Sequence, residues 1–465
     1  MSGQLGSDQL AREIWAARAL LPGGWADGVS LRVEPDGRIG QIATGTMASA
    51  GAQQVETLLP APTNLHSHAF QRAMAGLTER RGRDPRDSFW TWRQLMYRFL
   101  DQLTPDDVEA IAAFVQMEMA EAGYGASVEF HYLHHDQGGR PYTDLAEMSA
   151  RIAAAAQTSG LGLTLLPVLY QRGGMDGRAL IAGQDRFGND LDCYARLVQG
   201  AADAVAALSA DSRTGVAPHS LRAVDAAGIA HAVTLTDGPI HIHLAEQIAE
   251  VDEVLAATGQ RPVEWLLDHV PVGPRWCMIH ATQMTPDETL RLAASGAVAG
   301  LCPITESSLG DGIFDGVRWT GAGGAWGIGS DSNIRISLTE ELRTLDYSQR
   351  LRDHSRAALA DAERSTGRAL WDGAAAGGAQ AGGRDSGAIA SGKWADLVAI
   401  GDLGPDGIGR SGDLLLDTLI FARDDREVTD LWSAGRHLVS GGRHGAREAI
   451  IARYAAVMTR LRDVL

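Results

Sequence analysis

Four short segments gather residue types that bind metal ions and move protons. NLHSHAF holds His66 and His68, IHIHLAE holds His241, His243 and Glu246, WCMIH ends in His280, and GIGSDS contains Asp331. On a strand, residues i and i+2 face the same way, so His66 and His68 would enter one site together. Neutral imidazole is the commonest zinc ligand. One HxH pair is weak evidence, and His241 alone reads as a core histidine. The whole set is different. Each member stands at the C-terminal end of an apolar run, and core packing does not explain polar ends on four separate runs.

Those runs belong to a longer alternation. The apolar stretches 57–62 (leading to His66), 127–131, 163–169, 215–219, 240–244, 276–280, 297–302 and 326–331 read as eight strands. Helical stretches such as 105–122 and 286–294 separate them. Strands alternating with helices argue for a parallel sheet, and eight units argue for an α/β fold of the (β/α)8, TIM-like barrel type. In that fold the C-terminal strand ends form the catalytic face. A doubly wound open sheet is the alternative, but no GxGxxG follows a first strand. The Ala/Gly-rich stretch 373–383 reads as a loop or a loosely packed helix-to-loop passage. Residues 28–57 and 387–440 carry short alternating runs with Gly/Asp turns, the signature of antiparallel strands. The expected organisation is therefore 1–57 and 385–465 joined in a small β-sandwich domain, the latter with a terminal helix, around a barrel at 58–384.

Composition limits the partners. The chain has 465 residues, 41 basic and 58 acidic, for a net charge of −17. Nucleic acid and anionic membrane surfaces both need basic protein, so neither is expected as a partner. No apolar run approaches the ~18 residues of a membrane span. Residues 1–15 carry Asp8, Arg12 and Glu13 and lack a leader pattern. Cys193, Cys277 and Cys302 form no CxxC pair, and they read as buried thiols of a reducing, cytoplasmic compartment. Lys393 is the only lysine. A mechanism that needs a lysine within the barrel is excluded.

With these residues in view, the chain resembles the amidohydrolase superfamily: HxH on strand one, histidines on strands five and six, and Asp on strand eight. Within it the chain is similar to the formimidoylglutamate deiminase family of histidine degradation. The matching stretches are NLHSHAFQRAMAGLTE (64–79), EFHYLHHD (129–136), GVAPHSLRAV (215–224), HIHLAEQ (241–247), CPITESSLGDGIF (302–314) and SLTEELRTLDYSQRL (337–351). The resemblance implies a metal-dependent hydrolase that converts N-formimidoyl-L-glutamate to N-formyl-L-glutamate and ammonia. It implies one zinc ion per chain, with iron(II) as the other candidate, held by His66, His68, His243 and Asp331. Such an ion lowers the pKa of bound water towards ~7. Asp331 would take the water proton, Glu246 would carry a proton to the departing nitrogen, and His280 would stabilise the attacking oxygen.

The implied substrate is a small dicarboxylate, which suits arginine forks. The family pattern places Arg222 and His219 (in PHSLR), Gln71, Tyr132 and Arg93 around it. A homodimer is likewise implied by the resemblance. Asn333 stands where some relatives carry histidine, beside Asp331. His134 and His135 match the family motif without an assigned role. The competing expectation is a deaminase acting on a purine-type ring amidine, whose site would favour aromatic stacking and amide contacts over arginine. A scaffold on a decayed barrel is the remaining alternative, and the intact ligand set argues against it.

Overall fold

The computed structural model describes residues 13–79 and 89–462. Residues 1–12, read above for a leader pattern, lie outside them. Eight parallel strand positions make the barrel: β1 (Thr63–Ser67), β2 (Ala126–His131), β3 (Gly162–Leu169), β4 (split into Arg213–Thr214 and Ala217–Pro218), β5 (Ile240–Leu244), β6 (Trp276–His280), β7 (Val298–Leu301) and β8 (Ala325–Ile328). β1 to β4 pair in order, as do β5 to β8. Two parallel bridges join these halves, Val216 to Ile240 and Ser67 to Asp331. The second bridge closes the barrel and ties the HxH segment to the Asp331 segment.

The strands read as continuous apolar runs because both faces are covered; all five residues of β5 are buried. The helices between them begin where side-chain oxygens can take up their free N–H groups. Thr104 caps Pro105–Glu121, Asp190 caps Leu191–Ala206 and Thr285 caps Pro286–Ala294. Proline at the first position of two of these helices costs no hydrogen bond there.

The run at 57–62 is not the first barrel strand. Gln53–Pro60 belongs to the sheet built from the chain ends, and β1 starts only at Thr63. Proline at 60 and 62 marks the break, since neither can donate to a ladder. In the terminal sheet Gln53–Pro60 lies between Glu13–Leu21 and Leu397–Ile400. The expected sandwich is realised as a single hydrogen-bonded sheet of eight strands, four from each part of the chain. It is antiparallel except where Glu13–Leu21 meets Gln53–Pro60. The terminal helix Arg447–Arg462 lies on the barrel helix Pro105–Glu121, where the Phe114 and Tyr454 rings stack 4.0 Å apart.

The Gly-rich stretch is a helix-to-loop passage, as one of the two readings had it, but not a loosely packed one. It is helix as far as Ala381, and it is tightly packed. A Cβ at Gly377 would come within 1.8 Å of the Trp326 carbonyl oxygen, and one at Gly378 within 2.7 Å of that of Thr63. These glycines let the helix press its backbone against β8 and β1. Cys193 departs from expectation too, being only half-buried, whereas Cys277 and Cys302 are buried.

Candidate active site

The strand ends converge. The β1–β2 register slips between Asn64 and Ser67, a local irregularity at His66 that re-aims the chain. His68 then precedes the short 3₁₀ helix Ala69–Met74. His66 Nε2 and His68 Nε2 each stand 3.3 Å from Asp331 Oδ1. Ligand atoms of His66, His243, His280 and Asp331 lie within 4.8 Å of one another. The ring centroids of His66 and His243 are 4.9 Å apart.

Outer hydrogen bonds set which nitrogen each ring turns inward. His68 Nδ1 contacts the Phe130 carbonyl at 2.9 Å, and His243 Nδ1 that of His219 at 3.2 Å. Both therefore carry hydrogen on Nδ1 and present Nε2 as a lone pair, the usual arrangement behind a metal-ligating imidazole. His66 is fully buried, and neither of its ring nitrogens has a hydrogen bond of good geometry. Burial depresses the imidazole pKa of His66 to about 3, and it lowers those of His68 and His243 as well. Asp331 would be raised by burial, but His66, His280 and His68 outweigh this and hold it well below the usual range. Three neutral imidazoles and an ionised carboxylate fit a divalent ion of the zinc type. Of the four expected ligands, His66, His243 and Asp331 share this group with His280, while His68 adjoins it through its 3.3 Å contact with Asp331.

His280 and Glu246 stand beside this group. His280 Nε2 is 3.8 Å from Glu246 Oε1 and 3.9 Å from Asp331 Oδ2. Burial lifts the Glu246 carboxyl to about 7; Glu250 and Asp331 also raise it, while His280 and Arg222 pull it down. The backbone here is unusual. Ala245, His280, Ala281, Asp331 and Asn333 have φ between 46° and 70°, in the left-handed region non-glycine residues seldom adopt. Such conformations persist only where their surroundings hold them. Asn333 supplies part of that hold: its Nδ2 donates to Ser67 Oγ and to the Asp331 carbonyl, and its Oδ1 accepts from Ser330 Oγ. Asn333 thus ties β1 to the Asp331 loop.

A cleft opens onto this cluster. His68, His243, Glu246, His280 and Asp331 form its floor. Gln71, Arg93, Tyr132, His219 and Arg222, the five residues expected around the substrate, all line it. Gln71 Nε2 donates to Tyr132 Oη at 2.9 Å, and Arg93 Nη2 to Tyr170 Oη at 2.6 Å. Sequence reasoning missed Tyr170, Met96, Phe187 and Leu309, which also line the cleft. Tyr170 directly follows the β3 run, and the rule applied to the histidine-bearing strands would have found it. His134 and His135 bond to the Val168 and Gly188 carbonyls and do not line the cleft.

Comparison with known proteins agrees with this geometry. The amidohydrolase family model matches residues 57–438, and the model of the N-terminal domain of formimidoylglutamate deiminase HutF matches residues 11–55. The chain is 47% identical to the formimidoylglutamate deiminase of Pseudomonas aeruginosa over 97% of this chain and 99% of that one. The chain belongs to the amidohydrolase family. Within that family it stands with the formimidoylglutamate deiminases. The 8-oxoguanine deaminase of the same organism is more distant, 28% identical over 92% of this chain and 94% of that one. A crystal structure of an amidohydrolase from Brucella melitensis superposes with a TM-score of 0.93 at 47% identity, covering 97% of this chain and 99% of that one. Among the described residues, no helix is long and apolar enough to cross a membrane.

Proposed function

We propose that the cleft hydrolyses N-formimidoyl-L-glutamate to N-formyl-L-glutamate and ammonia, a reaction of histidine degradation. The observation that carries this reading is the presence of Arg93 and Arg222 in one cleft with the His/Asp cluster and Glu246. Two guanidinium groups match the two carboxylates of the substrate, whereas a ring amidine has no use for them. His66, His68, His243 and Asp331 would hold one divalent ion, which we take to be zinc, with iron(II) sharing the same donor preferences. When bound, the ion acidifies water at neutral pH.

The chain's own residues supply the proton traffic. Water adds to the formimidoyl carbon. Asp331 takes one of its protons through Oδ2, the oxygen on the His280 side. Glu246, with a pKa near neutrality, passes protons to the departing nitrogen, and both protons of the water reach it in turn, so that the C–N bond breaks, the added oxygen becomes the formyl carbonyl and ammonia leaves. Burial would lower the His280 pKa, but Glu246, Glu306 and Asp331 outweigh it and raise that pKa. Both its ring nitrogens therefore carry hydrogen, and Nε2 donates a hydrogen bond to the attacking oxygen. Arg222 and Arg93 bind the carboxylates, and Gln71, Tyr132 and His219 complete the wall. A homodimer is proposed from the resemblance, and a cytoplasmic location from the unpaired cysteines.

Arg222→Ala tests the substrate assignment. Leaving a buried carboxylate without its partner costs roughly 3–5 kcal/mol, or about 10²–10³ or more in kcat/KM. Arg222→Lys should recover only part, because a point charge does not reproduce the fork. Ammonia release from a formimidoyl compound lacking that carboxylate should be little affected. An equal loss on both compounds would show that Arg222 shapes the site without reading the substrate.

A further inference from the structure

The segment CPITESSL, residues 302–309, is conspicuous in the sequence, yet beyond the cleft-lining Leu309 it has no part in the site as described above. In the fold it follows β7 and forms the short helix Pro303–Leu309 between two reactive strand ends. Thr305 Oγ1 lies 3.0 Å from Ser332 Oγ and 3.3 Å from the Ser330 carbonyl oxygen, the residues on either side of Asp331. One residue later, Glu306 Oε1 lies 3.2 Å from His280 Nδ1. We propose that Glu306 is a positioning residue: it fixes the ring orientation of His280 and keeps a hydrogen on Nδ1, so that Nε2 addresses the reacting water. This rests on the role given to His280 above.

The geometry leaves His280 few other supports. It closes β6, paired with Leu244, but its φ of 70° departs from strand conformation, so the ladder by itself does not set the ring's orientation. An ionised carboxylate only accepts hydrogen bonds, so its contact with Nδ1 requires the hydrogen to be there. The other ring nitrogen then faces Glu246 and Asp331. Glu306 is itself held firmly. Its side chain is 6% exposed, and Oε1 also accepts from the Cys302 N–H at 2.8 Å. Glu341 Oε2 accepts from the Ile304 N–H at 2.8 Å, anchoring the same turn. A carboxylate–imidazole pair of this kind is the arrangement that orients general acid–base histidines elsewhere. Here it stands behind a histidine whose partners are another carboxylate and the metal-binding aspartate.

The experiment uses the metal-loaded enzyme and ammonia release from N-formimidoyl-L-glutamate. The wild-type rate checks the underlying reaction independently of Glu306. Glu306→Ala should lower kcat by about 10–100-fold, the usual cost of losing an outer partner. KM and metal content should stay near wild type. Glu306→Gln should recover part of the rate, since its amide oxygen can still accept from Nδ1–H, and it preserves the side-chain volume if the alanine variant folds poorly. The deciding measurement is a double-mutant cycle with His280→Ala. If Glu306 acts through His280, removing it from a protein that lacks His280 costs no further kcat. An equal loss in both backgrounds, loss of metal on Glu306→Ala, or an unchanged kcat would overturn the proposal. A wild-type kcat in His280→Ala would overturn the role of His280, and this proposal with it.

Discussion

Two buried polar clusters sit at opposite ends of the barrel strands, and they are built on opposite rules. Before β4, Arg384 lies between Asp211 and Asp396, with all three side chains at most 1% exposed. Arg436 joins them through Asp211. Two cations meet two anions, and every carboxylate oxygen accepts at least one hydrogen bond: Asp211 from Arg384 and Arg436, Asp396 from Arg384 and the Ala434 N–H. This cluster locks the barrel to the terminal sheet. At the other end, His66 spends neither ring nitrogen on the protein, and Asp331 and His280 sit in strained backbone. Burial holds Glu246 near neutrality and pushes the neighbouring Glu129 up to about 8. A buried cluster that satisfies itself stabilises the fold. One that leaves donors and charge unspent is kept for something that binds there.

The largest effects should come from breaking the unspent cluster. Asp331→Ala removes the one carboxylate shared by His66 and His68, and bound metal and turnover should be lost together. Glu246→Gln should leave stoichiometric metal and lower kcat by about 100-fold or more, the contribution typical of a positioned acid–base group. Metal analysis beside steady-state kinetics reads both. Near-normal metal and turnover in Asp331→Ala would refute the ligand assignment, and normal turnover in Glu246→Gln would remove it from the proton path.

Breaking the satisfied cluster should act on stability alone. Arg384→Ala leaves Asp396 buried without a cation and Asp211 with Arg436 only. Removing one partner of a buried pair costs roughly 3–5 kcal/mol. Denaturant unfolding should shift by that amount, while kcat/KM and metal content of the folded protein stay at wild-type values. A change in kcat/KM would mean that the two ends of the barrel are coupled.

The two clusters also differ in how far the sequence reveals them. The His/Asp set at the strand ends was legible because it departs from its context: His243 within IHIHL and His280 ending WCMIH are polar punctuation on apolar strands. Alternating strands and helices made the barrel legible for a similar reason. The ion network left no such trace. Asp211, Arg384, Asp396 and Arg436 are scattered singly over 225 positions, each indistinguishable from a surface charge until the chain folds. Glu306 escaped likewise, because a lone glutamate in a Ser/Thr-rich turn carries no period. The packing of the Gly-rich helix was misjudged because glycine has two uses, freedom and close approach, and only the backbone of Trp326 shows which applies. The first strand was misplaced because 57–62 continues into β1 as one apolar run, and pairing alone separates them.

The smallest effect, and the sharpest separation of the two clusters, should appear in the pH dependence of stability. Burial by itself would raise the Asp211 carboxyl, but Arg384 and Arg436 outweigh it and hold its pKa well below the ordinary aspartate value. A carboxyl depressed in the folded state stabilises the protein above its unfolded pKa of about 3.9, and that stability is lost as pH falls towards the folded value. The neutral Asp211→Asn variant lacks this linkage. Its deficit against wild type, measured by denaturant unfolding, should therefore be constant from pH 7 to about pH 5 and should narrow below about pH 4. Glu246, raised towards neutrality, contributes with the opposite sign: its neutral form favours the fold below the ordinary glutamate pKa of about 4.3, and that contribution fades as pH rises through about 7. A deficit that stayed constant down to pH 3 would mean that Asp211 is no better stabilised as an anion in the fold than in the unfolded chain. The contrast between a self-satisfied cluster and an unspent one would then rest on geometry alone.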